Sequence, residues 1–167
     1  QLHISDPIGA NRVAAGGLFV SYHDVSDQEA TLQVNVDIEN ETDKDQKAQV
    51  LVKLIDKSGN VVLQEQSPEA TLVAGSNQVY HFLLKLEQPQ LWSPESPYLY
   101  TLEASVLKDR EITDATSERI GIRTFKFTPN GFELNGKPLF LRGTNRHQEY
   151  PYIGYALSDN ANYRSAW

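Results

Sequence analysis

Two antiparallel sheets packed face to face are predicted for most of this 167-residue sequence, on three observations. Apolar and polar side chains alternate with a period of two in several separate segments. Turn signals rich in Gly, Pro, Asn and Asp separate those segments, and no stretch between Gly17 and Phe127 sustains a helical period. Together they make about seven strands in roughly 110 residues, the spacing of an immunoglobulin-like β-sandwich, so the fold class is all-β.

The elements follow in order. Gly17 to Val25 reads as a first strand. Leu32, Val34, Val36 and Ile38 then interleave with Gln33, Asn35, Asp37 and Glu39, the pattern of a strand with one face buried. Ala48, Val50, Val52 and Leu54 repeat it. The pattern breaks at Asp56-Lys57-Ser58-Gly59-Asn60, where Gly and Asn tolerate positive φ, and resumes at Val61 to Leu63, which predicts a hairpin. Tyr80, Phe82, Leu84 and Leu86 give the next strand, and Tyr98, Tyr100, Leu102, Ala104 and Val106 another. A last strand is expected over Ile120 to Phe127. The link from Gln88 to Pro97 holds three prolines that cannot donate to a ladder, so it is expected as a rigid crossover. The tyrosines after it are placed to tie their hydroxyls back to loop backbone.

Past Phe127 the character changes. Thr128 to Gly131 is a turn, Phe132 to Leu134 a short strand, and Asn135-Gly136 a two-residue hairpin signal. Leu139-Phe140-Leu141 is apolar without alternation, which predicts a strand covered on both faces. After a polar loop, Ser158 or Asp159 is placed to cap a helix containing Ala161 and Tyr163. Strand, polar loop and helix form a βα unit, so a domain boundary is expected near residue 127.

Composition narrows the function classes. With 40% hydrophobic and 22% charged residues the chain is neither disordered in composition nor a helical membrane protein, having no apolar run near the roughly 20 residues that span a bilayer. A net charge of −7 without a local basic cluster speaks against nucleic acid as a partner. The absence of cysteine removes disulfides, thiolate metal sites and thiol nucleophiles. No methionine occurs, even at position 1, and the sequence stops at Trp167 inside a periodic element, so a piece of a longer chain is expected.

The chemistry-bearing residues concentrate in one stretch: Arg142, Asn145, Arg146, His147 and Glu149. If Leu139 to Leu141 is a barrel-type strand, they occupy the loop past its carboxyl end, where α/β folds place functional groups. Arg and Asn supply fixed donors and His can donate, accept or titrate, a set suited to a polyhydroxylated or anionic ligand. The plainer reading, in which Arg146 pairs with Glu149 and the loop serves only itself, stays open on spacing alone. The remaining histidines, His3, His23 and His81, are scattered, so no metal site is expected within this chain. Asn40-Glu41-Thr42 is formally a glycosylation acceptor.

Three stretches together resemble glycoside hydrolase family 2, the β-galactosidase and β-glucuronidase family. They are Leu91-Trp92-Ser93-Pro94 with Pro97 to Leu102, Arg119-Ile120-Gly121-Ile122-Arg123-Thr124, and Phe132 to His147. The resemblance implies a modular enzyme in which residues 1–7 leave a preceding jelly roll, 8–127 form the immunoglobulin-like sandwich, and 128–167 open a catalytic (β/α)₈ barrel. It implies a retaining glycosidase whose acid/base and nucleophile glutamates lie beyond Trp167, leaving this chain inactive alone. His147 would line the sugar pocket, Asn145 and Arg146 would shape its loop, and Arg142 would be a buried structural arginine. Glucuronidase-like members tend to carry Lys before that histidine, so Arg146 points to a β-galactosidase. The expected partner is a β-linked saccharide, and the longer enzyme has room for a divalent cation and for assembly into a homo-oligomer. The alternative is a stand-alone immunoglobulin-like carbohydrate-binding or adhesion module without enzymatic activity.

Overall fold

The computed structural model describes residues 1–6, 16–143, 145, 152 and 154–165. Its first sheet is built on β3 (Glu29–Asn40), which pairs antiparallel along one edge with β7 (Asn77–Glu87). Along the other edge it pairs with β2 (Leu18–His23) and then with β1 (Leu2–Ile4). The second sheet centres on the antiparallel pair β4 (Gln46–Ile55) and β8 (Tyr100–Lys108). It is flanked by β5 (Val61–Gln66) and β6 (Ala70–Leu72) beside β4, and by β9 (Glu111–Ile120) beside β8.

The predicted alternation decides what the two sheets bury between them. Leu32, Val34, Val36 and Ile38 of β3 are fully buried, and so are Val50, Val52 and Leu54 of β4 and Leu102, Ala104 and Val106 of β8. Each of the larger side chains contributes roughly 1.5–3 kcal/mol, far more than any exposed polar contact, so register is fixed by this face. The fold is the predicted immunoglobulin-like sandwich, and segments 1–6 and 18–23 share one edge of its first sheet.

Two strand expectations are corrected. The strand expected over Ile120 to Phe127 is two elements: β9 ends at Ile120, the chain bends through residues 121–124, and β10 (Phe125–Thr128) starts a separate small sheet. The sequence of β9 hides it because it is an edge strand exposed along most of its length, so neither set of alternate positions is held apolar. Leu139 to Leu141 is not a strand, and Phe140 and Leu141 are exposed. Leu139 still donates its amide to the Phe132 carbonyl at 2.8 Å, but the pairing goes no further and Phe140 and Leu141 stand outside any strand.

The small sheet orders β10, β11 (Gly131–Leu134) and β12 (Lys137–Pro138), all antiparallel. Its Asn135-Gly136 turn has φ of +49° and +73°, the left-handed pair that a two-residue hairpin requires. Beyond it, α1 (Asp159–Ser165) is capped by Ser158, whose Oγ accepts from the Ala161 amide at 3.3 Å.

Candidate functional site

The 88–97 link, residues 121–124 and the Asn135 turn converge where the sandwich hands over to the small sheet. Proline in the 88–97 link prevents a regular strand, so its backbone groups find partners elsewhere: the Gln90 amide donates to the Tyr100 hydroxyl at 2.9 Å, and the Trp92 amide to the Ile122 carbonyl at 2.8 Å. The Tyr98 hydroxyl accepts from the Lys57 amide at 3.2 Å, so both tyrosines tie back to loops as their position predicted. Burial pushes the Tyr100 hydroxyl above its ordinary pKa, against the bond from Gln90.

Trp92 is the centre of this joint. Its ring lies so close to Gly121 that a Cβ there would sit 2.9 Å from Cγ and Cδ1, a distance no side chain tolerates. The Arg123 guanidinium stacks 5.2 Å from the ring centroid, and its Nη1 donates to the Gly121 carbonyl at 3.0 Å. The same guanidinium draws down the Tyr22 hydroxyl pKa, though burial prevails and the net shift is upward.

Asn135 ties the small sheet to this joint. Its Nδ2 donates to the Trp92 carbonyl at 3.0 Å, its Oδ1 accepts from the Thr124 amide at 3.0 Å, and its own amide donates to the Thr124 carbonyl at 2.9 Å. The local sequence marks Asn135 only as a turn residue. Its left-handed backbone is what aims the side chain back at the link. Between link and hairpin opens a cleft of about 520 Å³, with Ser93 and Glu95 on one wall and Asn135 and Lys137 on the other.

The loop itself is reached only in part. Asn145 is an exposed loop residue, while Arg146, His147 and Glu149 lie outside the described residues. Arg142, expected to be buried, is exposed and leans on the Phe140 ring with 5.9 Å between guanidinium carbon and centroid. The structure therefore brings none of Asn145, Arg146 and His147 into a measured arrangement. Among the described residues no three His, Asp or Glu side chains gather in a metal-holding group. What the described geometry does chemically is orient: it locks the hairpin that leads directly into the loop.

Comparison with known proteins places this joint in a family. A family profile described as Glycosyl hydrolases family 2 matches residues 12–123. A β-galactosidase of Thermoanaerobacterium thermosulfurigenes is 35% identical over 139 residues, 83% of this chain and 19% of that protein. A β-galactosidase of Bacteroides ovatus is 32% identical over 92% of this chain and 18% of its own length. A β-glucuronidase of Bacteroides fragilis is 33% identical over 86% and 21%. The crystallised Bacteroides uniformis β-glucuronidase 2, covalently bound to cyclophellitol-6-carboxylate aziridine, superposes with a TM-score of 0.86 and 28% identity over 99% of this chain and 20% of that one. The chain thus spans about a fifth of the length of these relatives. With the profile covering most of the sandwich, and the Trp92, Gly121 and Asn135 stretches meeting at one joint, this chain belongs to glycosyl hydrolase family 2.

Proposed function

We propose that this chain is the sandwich and the opening of the catalytic barrel of a retaining β-glycosidase, a β-galactosidase, which hydrolyses terminal β-linked saccharides. The observation that carries the reading is the joint itself: Asn135 and Trp92 fix the hairpin whose continuation bears Asn145, Arg146 and His147. In this reading His147 lines the sugar pocket and steadies charge in the transition state, while Asn145 and Arg146 shape the loop. Acid/base and nucleophile glutamates come from later barrel strands, and the 167-residue chain alone is inactive.

The covalent ligand of the Bacteroides uniformis neighbour supports a covalent glycosyl-enzyme route. An exposed aromatic face also supports a larger partner domain. Phe125 and Phe127 are 64% and 73% exposed and join Phe132 in ring contacts of 5.2 to 6.4 Å on one side of the hairpin, a surface suited to packing against a barrel. Relatives include both β-galactosidases and β-glucuronidases, and Arg146 in front of His147 is the residue that favours the galactosidase. The discriminating experiment compares nitrophenyl β-galactoside with nitrophenyl β-glucuronide as substrates of the longer protein. A preference for the glucuronide would replace the galactosidase assignment, and full activity of its His147→Ala variant would remove His147 from the pocket.

A further inference from the structure

The β8–β9 hairpin turns at Asp109 and Arg110, both of which adopt positive φ, +52° and +69°. A two-residue turn of this kind is relaxed with Asn-Gly, as at Asn135-Gly136 in the same chain, and costs free energy with a branched or long side chain at its second position. Arg110 thus holds a glycine's place and projects a guanidinium there instead. It lines an open cleft of about 820 Å³ with Gln49, Gln66, Glu69, Leu107 and Asp109. Among the described residues the Arg110 guanidinium, the Asp109 carboxylate and the Gln66 amide carry no hydrogen bond or ion pair.

The chemistry of these walls selects a class of ligand. Glu69 is neutralised by Lys47 at 3.1 Å and Asp109 is adjacent to Arg110, so the cleft carries both signs and little net charge. Guanidinium, carboxylate and amide groups are planar, with paired donors or acceptors that match vicinal hydroxyls, and Leu107 supplies an apolar floor. We propose that this cleft binds a neutral saccharide, with Arg110 as its anchor. It lies at the far end of β8 from the Trp92 joint, roughly 26 Å away at 3.3 Å per residue, so the proposal stands apart from the glycosidase reading.

The test is an amide-resolved NMR titration of the 167-residue chain with lactose, alongside the Arg110→Gly and Gln66→Ala variants. Saturable shifts centred on Gln49, Gln66, Asp109 and Arg110 are expected, weakened at least tenfold in both variants. Arg110→Gly should at the same time raise Tm by a few degrees, because glycine relaxes the turn. That combination separates a retained binding residue from a structural one. Absence of saturable shifts, or undiminished shifts in Arg110→Gly, would overturn the proposal.

Discussion

The Asn135 side-chain amide donates to the Trp92 carbonyl across 43 residues of sequence, and the other end of the same amide accepts from Thr124. One side chain thereby holds link, bend and hairpin together. Asn135→Ala should cost about 2–4 kcal/mol locally, from two lost bonds plus a left-handed alanine. Asn135→Gly, which keeps the backbone free, should cost about 1–3 kcal/mol. Amide hydrogen exchange at Thr124 and Trp92 reads both, and equal costs for the two variants would show that the backbone conformation plays no part.

Gly121→Ala tests the packing on the other side of Trp92. The new methyl would meet the indole at 2.9 Å, and the obstacle is a ring covered by Arg123 on a backbone whose amide donates to the Ile122 carbonyl. We expect a loss of about 1–3 kcal/mol in urea denaturation. A neutral effect would mean that Trp92 moves freely.

Asn40 is fully buried. Its Nδ2 donates to the carbonyls of Lys44, Leu72 and Val73, and its Oδ1 accepts from the amide and hydroxyl of Thr42. The glycosylation motif is therefore occupied by structure. Expressed through a eukaryotic secretory route, the chain should leave Asn40 unmodified by mass spectrometry. Asn40→Ala, which strands buried acceptors, should cost about 2–3 kcal/mol.

The Asp56 carboxyl is held below the usual carboxylate range, first by the Asn60 side-chain amide at 3.0 Å and then by the backbone amides of Asn60, Ser58 and Gly59. A depressed folded-state pKa means its contribution is present above the unfolded value near 3.8 and is lost as pH falls through the folded one. The β4–β5 turn should loosen only in that acidic window. Exchange rates of the Ser58 and Asn60 amides should rise there in the wild type, whereas in Asp56→Asn they should show no step tied to that carboxyl.

Sequence periodicity was enough for the buried strands because alternation is the direct image of a half-buried sheet: Leu32 to Ile38 and Val50 to Leu54 fell where they were expected. It was blind to β9, an edge strand whose residues answer mostly to solvent, and to β1, too short to show a period. The site was legible only as residue types in a loop. Neither the Gly121 to Trp92 contact nor the reach of Asn135 has a local signature, since each depends on where a bend brings distant backbone. Leu139 to Leu141 misled in the opposite sense, because an apolar run shows composition but not pairing, and Phe140 and Leu141 are exposed outside any strand.

The most direct test measures hydrolysis of nitrophenyl β-galactoside, with the anomeric configuration of the first product, by the longer protein and by the 167-residue chain in parallel. The expected result is turnover with retained configuration by the longer protein and none by the chain. Turnover by the isolated chain, or inversion by the longer protein, would contradict the assignment of this piece as the non-catalytic opening of a retaining β-glycosidase.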